Sequence, residues 1–154
     1  MRYWFDTEFI EDGKTIDLIS IGIVGEDGRS LYWENAECDL SRANEWVVAN
    51  VFPHLVGSDA QASRGDIAMS LIEFAGPKPE FWAYYGAYDW VVLCQLFGRM
   101  IDLPASWPMF VRDVRQLCDA RGNPPLPPQS TTEHHALADA RWTKEAWEFL
   151  QSLR

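Results

Sequence analysis

Apolar and polar positions alternate along the first third of the chain and recur at three- and four-residue intervals through most of the rest. These are the periods of half-buried strands and of amphipathic helices. Residues 2–9 read as a strand, with Tyr3, Trp4 and Phe5 before an acidic insert and Phe9 and Ile10 after it. A second strand over 16–24 carries Ile19, Ile21 and Ile23 on one face, Glu26-Asp27-Gly28 is a turn signal, and 30–33 read as a third strand. The opening is therefore a meander of three antiparallel strands. The spacing then predicts a helix over 41–52, with Ser41 as its N-cap, Trp46, Val47, Asn50 and Val51 at helical spacing, and Pro53 as its stop. A second helix starts at Ser63, carries Ile67, Leu71 and Phe74, and ends at Gly76-Pro77. Beyond it, 80–85 predict a buried strand, 87–98 a helix with Trp90, Leu93, Cys94 and Phe97 on one stripe, 109–111 a short strand and 113–121 a short helix. Residues 122–131 are too rich in proline for regular structure. A last helix over 136–153 places Ala138, Trp142, Ala146, Phe149 and Leu153 on one apolar stripe.

Strands alternating with helices in the second half imply parallel additions to the sheet. The expected architecture is α/β: a mixed five-stranded sheet, three strands antiparallel and then two parallel, with helices on its faces, as one domain over 1–154. A length of 154 residues and a hydrophobic share of 47% supply enough apolar surface for such a core. No apolar run approaches the length of a membrane span, and Asp6 interrupts any secretory leader, so the expected location is the cytoplasm with no membrane partner. Cys38, Cys94 and Cys118 show no C-x-x-C spacing and read as free thiols, Cys94 and Cys118 among apolar residues. The net charge of -10 argues against a broad basic surface that grips long nucleic acid.

The charge does leave room for a concentrated acidic site. Asp6 and Glu8 lie two apart on a strand and so face the same way. Read blandly they are exposed acids on an edge strand, but their apolar neighbours make the strand central, and buried acids need a partner or a metal. Asp89 falls in the first turn of the helix after the buried strand. It could serve there simply as a favourable charge at a helix start, but that position also lets it face Asp6. His134 precedes Asp139 by five residues at the mouth of the last helix. His54 and Asp59 repeat that spacing, but no helix follows them immediately and they precede Asp89. His135, four residues before Asp139, is the alternative to His134. Two carboxylates on one strand face, plus a later Asp and a His, suit hard divalent cations with a proton acceptor beside them, the equipment for metal-assisted hydrolysis of a phosphate ester. No Cys/His cluster suits zinc. Trp46, Trp90, Trp142 and Trp147 lie on helical faces and read as core, whereas Phe9, directly after the acidic pair, is placed to stack under a terminal base.

Asp6-Thr7-Glu8-Phe9, then Tyr88-Asp89, then His134-His135-Ala136-Leu137-Ala138-Asp139-Ala140 resemble, in order, the three exonuclease motifs of the DEDDh (DnaQ-like) 3′–5′ exonucleases. That superfamily includes the proofreading subunit of bacterial replicative polymerase, RNase T and oligoribonuclease. The likeness covers about 6 to 140 and looks most like a small bacterial exoribonuclease branch with an Asp-Thr-Glu-Phe start. It implies an RNase H-like fold, with Asp6, Glu8, Asp89 and Asp139 as catalytic ligands of two Mg²⁺ or Mn²⁺ ions and His134 as the base. An acidified water would attack the terminal phosphorus, and nucleoside 5′-monophosphates would leave the 3′ ends of short or overhanging RNA. Asp113 resembles a recurrent Asp of the family and reads as structural or as a helix cap. Where the family often carries an Asn before the second motif's Asp, this chain has Ala83-Tyr84-Tyr85-Gly86-Ala87-Tyr88-Asp89. Thr7, Phe9, Tyr85 and Tyr88 are accordingly the candidate substrate contacts. The resemblance to RNase T and oligoribonuclease also implies a homodimer. The competing readings are a proofreading-type exonuclease on single-stranded DNA and a non-catalytic RNase H-like module that binds nucleic acid or a protein partner. Loss of a catalytic carboxylate would favour the latter, and all four are present.

Overall fold

The most apolar runs of the sequence become the middle of a six-stranded sheet. The structure, a computed structural model, describes residues 1–129 and 132–153. In chain order the elements are β1 (Arg2–Glu11), β2 (Ile16–Gly25), β3 (Ser30–Asn35), α1 (Glu45–Asn50), β4 (Gln61–Ala62), α2 (Arg64–Ala75), β5 (Glu80–Ala83), α3 (Ala87–Gln95), β6 (Arg112–Asp113), α4 (Val114–Ala120) and α5 (Ala136–Ser152). The strand order is β4-β3-β2-β1-β5-β6. β1, β2 and β3 form the antiparallel meander, and β5 and β6 add in parallel beside β1, as the alternation of strands and helices implies. The sheet has six strands instead of five because β4 pairs in parallel with β3 through two residues, too few to leave a periodic trace. Among the described residues, no helix is long and apolar enough to cross a membrane.

Four local expectations give way. The helix expected over 41–52 is confined to α1. Ser41 sits in a preceding 3₁₀ turn capped by Asp39, Ala43 is extended, and Asn44 caps α1 by accepting the Val47 N–H at 2.9 Å. Residues 109–111 are not strand. The sheet edge is made one residue later, where Arg112 and Asp113 pair with Trp82 and Ala83, and Met109 and Phe110 are left exposed. The strand expected over 80–85 stops at Ala83, because Tyr85 turns back with φ 55°. The buried face of α5 is Ala136, Ala140, Thr143, Ala146 and Leu150, not the stripe through Trp142, Phe149 and Leu153. Small side chains lie toward the sheet and the aromatics flank them. Of the expected irregular stretch 122–131, residues 130 and 131 lie outside the described residues. Cys94 and Cys118 are buried free thiols, as expected, and Cys38 is half-buried.

The alternation of β1 divides the molecule into two layers. Tyr3 and Phe5 join the core under α2 and α3, with Ile67, Leu71, Phe81, Trp90 and Leu93. Trp4 faces the other way, against Val114, Cys118, Ala146 and Leu150 of α4 and α5. Asp6 and Glu8 share Trp4's face, so they point toward α5. Asp6 pairs across the sheet with Gly22, and a Cβ on Gly22 would overlap the backbone of Ala136 and Leu137 at the start of α5. The missing side chain lets the first turn of the helix lie directly on the strand beside Asp6. Gly22→Ala should therefore cost at least about 2 kcal/mol, in the upper half of the usual range for overpacking or beyond it, because backbone must move. Urea unfolding measures it, and a midpoint equal to the wild type would show that α5 does not depend on this approach.

Candidate active site

β5 pairs with β1 only as far as Trp4, so the next stretch of that edge has no strand to accept its N–H groups. Asp89, in the first turn of α3, takes that place. Its Oδ1 accepts the Thr7 backbone N–H at 2.9 Å and the Thr7 hydroxyl at 2.6 Å. Thr7 is buried and its hydroxyl is committed to this bond. The bond brings a carboxylate of the α3 layer to the strand that carries Asp6 and Glu8. The turn before α3 is held in a similar way. Asp113 caps α4 through the Arg115 N–H at 2.7 Å and also accepts the N–H of Tyr85 at 3.3 Å and of Gly86 at 3.1 Å.

Asp139 comes from the first turn of α5, above Gly22. Its Oδ2 accepts the backbone N–H of His134 at 2.9 Å, and Gln129 donates to its Oδ1. His134 adopts φ 63°, a left-handed conformation that costs energy for a residue with a Cβ. The carboxylate bond holds it there. Glu8, His134 and Asp139 then offer ligand atoms that all lie within 4.8 Å of one another. His135 takes a different place. Its ring stacks on Tyr32 at 4.6 Å, and its Nδ1 accepts the Ala138 N–H at 3.4 Å as the cap of α5. The decoy pair ends in two separate 3₁₀ turns, with His54 in Phe52–His54 and Asp59 in Ser58–Ala60.

Asp6, Glu8, Asp89, Asp139 and His134 all line one open cleft of about 860 Å³. Burial raises the pKa of each of the four carboxylates. For Asp6, which is pushed well up, the charges of Asp89, Glu8 and Asp139 add to burial. Glu8 is pushed up to about 8 by burial, by the charges of Asp139 and Asp89, and by a hydrogen bond to Asp139. Asp89 rises to about 6, the two Thr7 bonds opposing the effect of burial. Asp139 is also raised by burial, against the hydrogen bonds from Gln129 and His134. Among the described residues no Lys or Arg lines the cleft, and the ion pairs formed elsewhere include none of these four acids. Converging oxygen ligands with no protein cation fit a hard divalent metal such as Mg²⁺ or Mn²⁺.

The rest of the cleft is aromatic. Phe9 and Tyr88 meet edge to face at 6.0 Å, and Tyr85 and Tyr88 are exposed on the rim. Trp46, read from sequence as core, is 53% exposed and lines the cleft with its ring against His134 at 4.8 Å. Its exposure follows from the shortness of α1, which buries only Val47. Trp142 also lines the cleft, packed on Tyr84 at 4.9 Å. Gln129 left no signal in the sequence, because a proline-rich loop has no period from which a facing side chain can be read.

A family model described as the 3′–5′ exoribonuclease Rv2179c-like domain matches residues 1–151. The chain is similar to the 3′–5′ exoribonuclease Rv2179c of Mycobacterium tuberculosis strain H37Rv, at 50% identity over 92% of this chain and 88% of that protein. The same figures hold for the 3′–5′ exoribonuclease MT2234.1 of strain CDC 1551. Among solved structures the fold is similar to E. coli exonuclease I in complex with single-stranded DNA, with TM-score 0.65 and 15% identity over 99% of this chain and 41% of that one. It is also similar to the RNase domain of yeast Pop2, with TM-score 0.57 and 10% identity over 96% of this chain and 77% of that one. The chain thus spans about two fifths of the exonuclease I chain. At these identities the likeness is one of fold, and the fold is RNase H-like.

The raised carboxylates set a pH dependence for the cation-free protein. Unfolded Asp and Glu release their protons near pH 4, whereas folded Glu8 holds its proton to about 8 and Asp89 to about 6. Between those limits the folded state binds more protons, so stability falls as pH rises from about 4 to 8. In EDTA, the melting temperature should drop over this window, and Glu8→Gln should flatten the drop. Thermal melts at half-unit steps read it, and a level wild-type profile would contradict the assigned shifts.

Proposed function

The chain belongs to the Rv2179c-like 3′–5′ exoribonuclease family, and on that premise we propose that it removes nucleoside 5′-monophosphates one at a time from RNA 3′ ends, using divalent cations held by Asp6, Glu8, Asp89 and Asp139. The observation that carries this reading is that four carboxylates from β1, α3 and α5 line one open cleft, with Glu8 and Asp139 gathered beside His134. Two bound Mg²⁺ or Mn²⁺ ions would neutralise the phosphate and acidify the attacking water. His134 would accept the proton of the attacking water as general base. Its backbone is fixed by Asp139 and its ring by Trp46, so it is aimed before substrate arrives. His135 is occupied with Tyr32 and the cap of α5, which favours His134 between the two. Thr7 positions Asp89 through two hydrogen bonds, while Phe9, Tyr85 and Tyr88 offer rings against which the terminal nucleotides stack. A homodimer remains part of this proposal, supported by large apolar side chains left exposed at Met100, Ile101, Met109 and Phe110.

Oligoribonucleotides labelled at the 5′ or the 3′ end, incubated with Mg²⁺, Mn²⁺ or EDTA, test the proposal, with DNA oligomers alongside. The expected result is a 5′-labelled ladder that shortens from the 3′ end and stops in EDTA. Asp6→Asn and Asp139→Asn should reduce turnover to background, and His134→Ala by about 10²–10⁴-fold. Full activity in EDTA or in Asp6→Asn would sink the mechanism, and loss in His135→Ala with retention in His134→Ala would reassign the base.

A further inference from the structure

A second cavity of about 300 Å³ is lined by His54, Thr132, His135, Ala138 and Arg141. It has no lining residue in common with the cleft, but the same chain segments line both. The segment from α1 to the 3₁₀ turn at Phe52–His54 puts Trp46 in the cleft and His54 in the second cavity. The stretch 132–135 puts Glu133 and His134 in the cleft, and Thr132 and His135 in the cavity. α5 separates the two, with Asp139 and Thr143 on one side and Ala138 and Arg141 on the other.

Their chemistry is opposite. The cleft concentrates carboxylates, whereas none lines the second cavity. The cavity offers a guanidinium, two imidazoles and a hydroxyl. His135 Nδ1 accepts the Ala138 N–H, so Nε2 carries the ring proton and donates. The scaffold beneath is rigid. His135 stacks on Tyr32, the Tyr32 hydroxyl donates to buried Glu34 at 2.9 Å, and Glu34 accepts the N–H groups of Val56 and Gly57, just past His54. Among the described residues Arg141 forms no ion pair, in a chain with 23 acidic and 13 basic residues. Several donors and an unpaired guanidinium around one small cavity are a site for an anion with several oxygens.

We propose that this cavity binds a backbone phosphate of the RNA strand whose 3′ end lies in the cleft, upstream of the bond being cut. The proposal rests on the exoribonuclease reading above. A net charge of -10 argues against a broad basic surface that holds a strand, and one local phosphate contact beyond the cleft rim supplies an anchor. A dinucleotide, whose single phosphodiester lies at the carboxylates, leaves the cavity empty, whereas a longer strand fills it.

The test is kcat and KM on oligoribonucleotides from two to about seven residues, for the wild type, Arg141→Gln and His54→Gln, with inorganic phosphate as competitor. The wild-type KM should fall as the strand lengthens beyond two residues. Arg141→Gln should raise KM on the longer strands by about five- to tenfold, lower the salt dependence of binding by about one ion, and leave the dinucleotide KM and kcat as in the wild type. His54→Gln should act in the same direction. Equal KM for variants and wild type at every length overturns the proposal, and so does an equal loss on the dinucleotide. If Arg141→Gln weakens only inhibition by inorganic phosphate and not the length dependence, the cavity takes free phosphate and the strand anchor is wrong. A wild type that cleaves no RNA, the dinucleotide included, fails the exoribonuclease reading itself and the anchor with it. Cleavage of the dinucleotide with no gain on lengthening fails only the anchor.

Discussion

How closely α5 lies against the sheet decides whether this chain has a site at all. Asp6 and Glu8 are fixed by the pleat of β1, and nothing on their own strand brings them a partner. Asp139 reaches them because the helix beneath it presents Ala136, Ala140, Thr143 and Ala146 to the sheet, and because Gly22 has no side chain under its first turn. From that approach the rest follows. Asp139 fixes the backbone of His134, His134 meets Glu8 on the cleft side, and Trp46 closes against the imidazole. The contact surface consists of small residues, so its contribution lies less in buried area than in distance.

The acids do more than crowd together. Asp89 completes the unfinished edge of β1, Asp139 holds a left-handed histidine, and Asp113 holds the left-handed Tyr85 at the opposite rim. Each carboxylate replaces a backbone partner that the sheet or helix does not supply at that point. This is why the cleft opens where β5 and α5 begin or end. A sheet with its edge fully paired would leave no room for the side chain of Asp89.

The meander, α2 and α5, and the three acidic signatures were legible because their periods are long and their acids interrupt apolar runs. The α5 stripe was misread for a physical reason. Aromatics weigh heavily in an apolar pattern, yet here the sheet takes the small residues and leaves Trp142 at the cleft. Trp46 was assigned to the core by the same weighting. β4, at two residues, carries no pattern that could reveal it, and β6, equally short, was expected just ahead of its place, at 109–111. His134 and His135 are adjacent and chemically identical in the sequence. Only the turn at φ 63° separates them, sending one to the carboxylates and the other to Tyr32.

The cluster of like charges on β1, α3 and α5 has a consequence for the fold as a whole. In the unfolded chain these four acids are far apart and hold a divalent ion weakly. In the folded chain they line one cleft, and an ion between them would relieve their mutual repulsion. Any such ion therefore stabilises the native state by mass action, growing with the logarithm of its free concentration. The lifetime of this chain against proteases would then track the divalent-cation level around it, and a chelator would act as a mild denaturant as well as an inhibitor.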